Sequence, residues 1–211
     1  MAIYRHKVFI SFCHTDEYYK EQLTKFKYVN TETGRYESIF DNYSVGNGDI
    51  DDSVLTDEQI RRIIRDDYIA GATVFILLCG ERTKFRKHID WEIHAAMYDS
   101  DTNPKMGILV INLPTISQRQ RVQAATEEEK QFFPWAPGWT ELTTRISLEN
   151  AFPYMPERMI DNFVKQVPIT VANWSDISEE PLKLMKMIDN AFLRKDTNKY
   201  DHSRPLRKKN S

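Results

Sequence analysis

The chain has 211 residues, of which 41% are hydrophobic and 12% aromatic, and this is enough for one domain with a packed core. Its net charge of −2 excludes a strongly basic surface of the kind that recruits nucleic acid or anionic lipid. The longest apolar run, residues 74–79, is too short to cross a bilayer, and the first residues contain no stretch of signal-peptide type. These features predict a cytoplasmic protein that binds neither nucleic acid nor a membrane.

The first predicted elements are a strand, a helix and a second strand. Residues 7–12, KVFISF, are β-branched and aromatic between polar neighbours, which predicts a strand. Residues 14–26 have apolar side chains at helical spacing, and Thr15 or Asp16 is expected to cap that helix. Residues 38–41, SIFD, predict a short second strand that ends in an acidic residue.

The middle of the chain has the strongest strand signals. Thr56 followed by Gln59 is a capping-box signature at the start of a helix over residues 56–67. Residues 74–79, VFILLC, form an uninterrupted apolar run, as a strand covered on both faces requires. Residues 106–113, MGILVINL, form another such run. Both runs are typical of central strands in a parallel sheet.

A helix is predicted between these two strands, over the stretch RKHIDWEIHAAM at residues 86–97. Its apolar positions recur at the spacing of one buried helical face, namely Ile89, Ile93, Ala96 and Met97. Glu92 lies beside this apolar stripe, near enough for its carboxylate to reach the edge of a pocket. Most glutamates at such a position are solvated, so the interpretation of Glu92 depends on the rest of the chain.

The C-terminal half adds an insertion, a last strand, a last helix and a tail. Residues 114–168 are too many for a connection inside a compact domain, so we expect an insertion with structure of its own. Within it, SQRQRVQAATEEEKQFF predicts a helix, and FFPWAPGW is either satellite core or a lid or self-association surface. PITVANW predicts the last strand and EEPLKLMKMIDNAFLRK the last helix. Residues 196–211 form a basic polar tail that is expected to be solvated and disordered.

Alternating strands and helices predict an α/β fold with a central, mostly parallel sheet between two helical layers. We assign residues 1–195 to a single domain, with the insertion at about 114–168 before the last strand. Cys13 and Cys79 fall in the most apolar segments, which predicts reduced core thiols, and a disulfide between them is the less favoured alternative.

The residues that follow the predicted strands limit the kinds of ligand site that the chain can form, because ligands of such sheets bind at the carboxyl ends of the strands. No glycine-rich loop for a dinucleotide or a nucleotide phosphate follows a strand, and no cysteine and histidine set has the spacing of a metal site. One acid remains, Glu92. With an ordinary pKa near 4.3 it is ionised at neutral pH, which suits it to bind ribose hydroxyls and to stabilise the positive charge formed when an N-glycosidic bond breaks.

Several motifs resemble the TIR-like family that includes the signal-producing subunit of bacterial Thoeris anti-phage systems. These are KVFISF followed by CHTD, a strand ending in FD, and a helix start that reads WEI after a basic stretch. The resemblance covers about residues 5–113 and implies a flavodoxin-like, TIR-like fold. It makes Glu92 the catalytic glutamate, and it implies substrate contacts from Ser11, Phe12, His14, Asp41, Asn42 and Trp91. Two departures are the insertion and His88, which stands where the family often has tryptophan.

The resemblance implies an enzyme that cleaves NAD+ at the bond between nicotinamide and ribose, with NAD+ as substrate and without a cofactor or metal. Its ADP-ribose-derived product, cyclic in the favoured version, would be a diffusible signal for a separate effector protein, and a homo-oligomer could complete the pocket. Two alternatives stay open. A non-catalytic TIR-type interaction module would tolerate loss of Glu92, and a nucleoside deoxyribosyltransferase-like N-glycosidase would ignore NAD+.

Overall fold

A computed structural model describes residues 5–44, 55–100, 103–116, 121–136, 139 and 141–210. The strands are β1 (Lys7–Ser11), β2 (Lys27–Val29), β3 (Tyr36–Ser38), β4 (Asp41–Asn42), β5 (Val74–Cys79), β6 (Gly107–Asn112) and β7 (Thr170–Asn173). The α-helices are α1 (Glu17–Thr24), α2 (Asp57–Ile63), α3 (Lys87–Met97), α4 (Arg145–Ala151), α5 (Glu157–Val164), α6 (Trp174–Ser178) and α7 (Pro181–Arg194). Short 3-10 helices span His14–Asp16, Thr83–Phe85 and Glu128–Phe132, and a π-helical turn over Ile64–Tyr68 continues α2.

The central sheet has five strands in the order β4-β1-β5-β6-β7, and every neighbouring pair is parallel. This confirms the predicted α/β fold of flavodoxin-like type. All residues of β5 and β6 are buried, as the two uninterrupted apolar runs predicted. Because the strands are parallel, the carboxyl ends of β1, β5, β6 and β7 lie along one edge of the sheet.

The sheet separates two apolar layers, because successive side chains of a strand point to opposite faces. Phe9 and Phe75 face the layer that contains the buried sides of α2, α3, α4 and α5. Val8, Ile10 and Ile76 face the other layer, which is formed by α1, α6 and α7. The buried stripe predicted for residues 86–97 is present in α3, whose Ile89, Ile93, Ala96 and Met97 have no exposed surface. The helix of Glu92 is therefore fixed against the first face of the sheet.

The second predicted strand differs from the observed structure. Residues 38–41 do not form one strand, since β3 ends at Ser38 and pairs in antiparallel fashion with β2, while β4 begins at Asp41 and pairs with β1. Ile39 and Phe40 between them are buried in the core. The β2–β3 hairpin was not predicted, because its strands have only three residues each and a polar connection that gives no periodic apolar signal.

The insertion is built differently from the helix predicted for SQRQRVQAATEEEKQFF. Residues 117–120 lie outside the described part, and of the rest only Glu128–Phe132 is helical, as a 3-10 turn. Gln123 instead exchanges backbone hydrogen bonds with Val171 of β7, at 2.9 and 2.8 Å, which requires extended backbone. The FFPWAPGW segment contributes to the core, where Phe133 is buried and Trp135 donates to Asp176 Oδ1 at 2.7 Å. This part of the insertion thus extends the sheet edge and the layer of α1, α6 and α7, whereas α4 and α5 belong to the layer of α3.

The tail is not disordered, contrary to the expectation from its composition. The Tyr200 hydroxyl is buried and donates to the carbonyl of Met106 at 2.9 Å. Arg204 pairs with Glu157 and Asp161 of α5. Two of the basic residues that suggested a solvated tail, Arg204 and Arg207, thus meet acidic side chains of α5, which is remote in sequence. Among the described residues, no helix has both the length and the apolar character needed to cross a bilayer.

Candidate active site

Ser11 and Glu92 meet at the carboxyl edge of the sheet. Ser11 is the last residue of β1, and its buried hydroxyl donates a hydrogen bond of 2.6 Å to Glu92 Oε2. Like Phe9, Ser11 faces the layer that contains α3, while Glu92 lies one position away from the buried stripe of that helix. The two side chains are 81 residues apart in the chain, and the packing of α3 on the sheet brings them together.

The Glu92 carboxylate lies in a poorly hydrated place, although the residue as a whole is partly exposed. Burial raises its pKa to about 7, and the Ser11 hydrogen bond acts in the opposite direction because it stabilises the ionised form. The expectation of an ordinary pKa near 4.3 was therefore wrong, since the apolar packing around α3 removes water from the carboxyl group. At neutral pH Glu92 can accept a proton as well as stabilise positive charge, which suits a general base.

Replacing Ser11 with alanine is expected to raise the pKa of Glu92 by about one to two units. A hydrogen bond to a charged group contributes about 1.5–3 kcal/mol, and one pKa unit corresponds to about 1.4 kcal/mol. The pKa is measured by NMR titration of ¹³C-labelled glutamate carboxyls, with Glu92→Gln to assign the resonance. Ser11→Thr keeps a hydroxyl and serves as the control. An unchanged or lower pKa in Ser11→Ala would show that the hydroxyl does not stabilise the carboxylate.

The other two residues predicted after β1 make contacts elsewhere. The Phe12 ring is buried in the opposite layer, with the Lys20 ammonium 5.7 Å from the ring centroid. The His14 side chain is 85% exposed and lies 3.6 Å from Glu17 at its Nδ1 atom. Both residues lie near the carboxyl edge, so their contact with a substrate stays a prediction.

Asp41 and Asn42 lie at the other end of β1. They pair with Lys7 and Val8, and at about 3.3 Å per residue this places them roughly 10 Å or more from Ser11 along the strand. The sequence placed Asp41 at the end of a strand, whereas it begins β4, and this shift moves both residues away from Glu92. The structure therefore does not bring Asp41 and Asn42 close to Ser11 and Glu92.

Trp91 is directed away from the Ser11–Glu92 pair. Its buried indole donates from Nε1 to the carbonyl of Arg207 at 2.9 Å, and the Lys87 ammonium lies 5.3 Å from the ring centroid. Neighbouring residues of a helix point about 100° apart, so Glu92 faces the sheet edge while Trp91 faces the tail. The structure shows the Trp91 indole packed against the tail, and the predicted contact of Trp91 with a substrate stays a prediction.

Asp16 is an acid at the same edge that was assigned only as a helix cap. Its side chain makes no capping hydrogen bond, and neither does that of Cys13 before the 3-10 turn. The carboxylate is buried against Gly80, where a Cβ atom would stand 2.3 Å from Asp16 Oδ2. Burial raises the pKa of Asp16, and a hydrogen bond with the Thr115 side chain lowers it. The feature of the sequence that could have indicated a site role for Asp16 is that this acid follows the strand motif FISF closely.

A large cavity lies at the same edge of the sheet, two and three strands away from β1, the strand of Ser11. It has a volume of about 680 Å³ at the carboxyl ends of β6 and β7, where it is lined by Asn112, Asn173, Trp135, Trp174 and Asp176 among others. Sequence reasoning did not find it, because three of these residues are separated from the Glu92 helix by the insertion and Trp135 lies within the insertion. It is on the same edge of the sheet as the Ser11–Glu92 pair.

Residues 9–118 match the family model described as Thoeris protein ThsB, TIR-like domain, and this span is slightly more than half of the chain. The chain belongs to the Thoeris ThsB TIR-like family. The match includes Ser11, Asp16 and Glu92, and it ends near the start of the insertion. Searches of curated proteins and of solved structures gave no significant match. Membership of the TIR-like family supports a role in anti-phage defence.

Proposed function

We propose that this protein cleaves NAD+ at the bond between nicotinamide and ribose, with Glu92 as the catalytic residue. The observation that supports this most is the Glu92 carboxylate itself, which is desolvated, held by Ser11 and located at the ligand-binding edge of a TIR-like fold. The Ser11 hydroxyl donates to Oε2 of Glu92, so Oε1 of Glu92 is available to accept hydrogen bonds from ribose hydroxyls.

The chemistry needs one carboxylate. When the C–N bond breaks, its electron pair stays with nicotinamide, which leaves as a neutral molecule, and the positive charge moves to the ribose ring. The ionised form of Glu92 stabilises that charge, and the poorly hydrated surroundings strengthen the attraction. A nucleophile then forms a bond to the same ribose carbon and loses a proton. A carboxylate with a pKa near neutrality can accept this proton.

The nucleophile determines the product. Water gives ADP-ribose, whereas a nitrogen or hydroxyl group elsewhere in the same molecule gives a cyclic product. We favour a cyclic, diffusible product that activates a separate effector, because the family is one of anti-phage defence. We further propose that the reaction takes place in the cytoplasm, where NAD+ is the substrate, and that a second copy of the chain contributes to the pocket.

The test is chromatography of NAD+ incubated with the protein at high concentration and across a dilution series. We expect free nicotinamide together with one companion product, whose retention and mass distinguish ADP-ribose from a cyclic isomer. Loss of specific activity on dilution would support completion of the pocket by a second copy. If no nicotinamide forms, even with lysate from phage-infected cells, the proposal is wrong and the interaction module is favoured.

A parallel incubation with deoxynucleosides and free bases addresses the other enzyme class. We expect no exchange of bases. Base exchange with NAD+ left intact would contradict the proposed function and favour a nucleoside deoxyribosyltransferase-like reaction.

A further inference from the structure

The first turn of α3 obtains its cap from the far end of the chain. Helix starts leave backbone N–H groups without partners inside the helix, and a side chain next to the helix usually supplies the acceptor. Arg86, at the N-cap position of α3, supplies no such bond. Instead the Lys87 N–H donates to Asn210 Oδ1 at 2.9 Å, across 123 residues. The turn that precedes Glu92 is thus completed by the tail.

Asp90, in the same turn, is also bound by the tail. Arg158 of α5 donates to both of its oxygens, from Nε at 2.9 Å and from Nη2 at 3.0 Å. The N–H of Arg207 adds a third bond, of 2.9 Å, to Asp90 Oδ2. Trp91 next to it donates to the Arg207 carbonyl, as described above. Two successive residues before Glu92 are therefore held by one tail residue.

Arg158 connects these contacts. Its side chain is 0% exposed, and besides Asp90 it donates to the carbonyls of Arg204 at 2.9 Å and of Pro205 at 3.1 Å. A buried guanidinium is costly unless its donors are paired, so burial of this side chain requires both α3 and the tail in place. The acid on α3, the arginine on α5 and the tail carbonyls form one connected polar network.

We propose that residues 204–210, which we name the C-terminal clamp, together with Arg158 position Glu92 for catalysis by fixing the first turn of α3. This inference rests on the proposed function and deepens it. The clamp does not contact the reacting atoms. It sets the orientation of the helix from which Glu92 reaches Ser11, and a displacement of about 1 Å at a catalytic group can lower a rate by as much as 100-fold.

The test uses point variants of the full chain. Arg207→Pro removes the N–H that binds Asp90, and Asn210→Ala removes the cap on Lys87, whereas Asn210→Asp keeps an acceptor oxygen. The matched control is Lys209→Ala, an exposed residue within the clamp. We expect Arg207→Pro to lower kcat for NAD+ about 10-fold with KM changed less than about twofold, Asn210→Ala to act in the same direction, and Asn210→Asp to restore kcat.

Hydrogen exchange separates positioning from general stability. We expect faster exchange at the amides of residues 87–91 in Arg207→Pro and unchanged exchange in β5. An unchanged kcat would overturn the proposal. So would a loss of kcat that follows a fall in melting temperature, with faster exchange in β5 as well, because the clamp would then be only structural.

A readout independent of turnover is the NMR titration of Glu92. If wild-type protein does not cleave NAD+, the proposed function fails, and the clamp is still tested by exchange at residues 87–91 and by the Glu92 resonance. A resonance and exchange pattern that are the same in wild type, Arg207→Pro and Asn210→Ala would show that the clamp does not position Glu92. Should Arg207→Pro fail to fold, the comparison of Asn210→Ala with Asn210→Asp, by the same exchange and NMR measurements, decides whether the clamp positions Glu92.

Discussion

Glutamine in place of Glu92 is expected to lower nicotinamide release from NAD+ by at least about 100-fold, the cost of losing one preorganised electrostatic contact in an active site. The amide keeps the size of the side chain and can still accept from Ser11, so the fold and the pocket are preserved. It has no negative charge to stabilise the ribose cation, and it cannot take a proton from the nucleophile. The rate is measured by chromatography at saturating NAD+.

The same substitution is expected to stabilise the protein at high pH. Because burial raises the pKa of Glu92 from 4.5 to about 7, the folded state holds this proton more tightly than the unfolded state does. The wild type therefore loses stability as the pH rises through this interval, since a buried carboxyl group must ionise. Glutamine does not ionise. The free energy of unfolding of Glu92→Gln, relative to that of the wild type, should therefore be about 2 kcal/mol larger at pH 8 than at pH 5.

Urea unfolding at the two pH values measures this difference. The control is Glu149→Gln, which removes a half-exposed surface carboxylate on α4 and should change neither the rate nor the pH dependence of stability. A Glu92→Gln variant that is slower and also less stable at pH 8 would indicate a structural glutamate. Retention of the wild-type rate would remove Glu92 from the mechanism.

Alanine in place of Glu129 is expected to cost about 3–5 kcal/mol of stability, the usual effect of removing one partner from a buried charged network. Glu129 is 0% exposed and accepts from Arg194 Nη1 at 2.9 Å, Asn190 Nδ2 at 3.0 Å and the Ala125 N–H at 2.9 Å. The Thr170 hydroxyl of β7 donates to it as well. Without this carboxylate the mostly buried Arg194 guanidinium loses the acid that it pairs with in the described part of the chain.

Glu127→Ala is the matched control for Glu129→Ala. Glu127 is in the same segment, its side chain is 87% exposed, and its ion pair with Lys130 should contribute at most about 0.5 kcal/mol. Urea unfolding of both variants gives the comparison. A cost below about 1 kcal/mol for Glu129→Ala would mean that the insertion is not anchored through this network.

The elements predicted best from the sequence are those whose signal is local. The apolar runs of β5 and β6 and the buried stripe of α3 need only neighbouring residues to be recognised. The capping box is also confirmed, since the Gln59 N–H donates to Thr56 Oγ1 at 3.2 Å and the Thr56 N–H to Gln59 Oε1 at 2.8 Å. Each of these patterns is formed by residues within one element.

What could not be predicted depends on pairs that are distant in sequence. Glu129 lies in an EEEK run that is typical of a solvated helix, and its burial follows from Arg194, 65 residues later. The raised pKa of Glu92 follows from packing against a sheet, which no local pattern indicates. Asp41 was predicted to end a strand but begins β4, so it lies beside the first residue of β1 and not at the carboxyl edge of the sheet.

The hydrogen bond between Lys87 and Asn210 also determines how late in protein synthesis the clamp can form. The two residues are 123 positions apart, so at ordinary translation speeds the ribosome reaches Asn210 on the order of 6 to 25 seconds after Lys87. During this interval a nascent chain contains α3 without its cap and Asp90 without its bond from Arg207. If the clamp acts as proposed, a growing chain that lacks the tail turns over NAD+ at least about 10-fold more slowly than the finished protein, and full activity waits for the last residues to be synthesised.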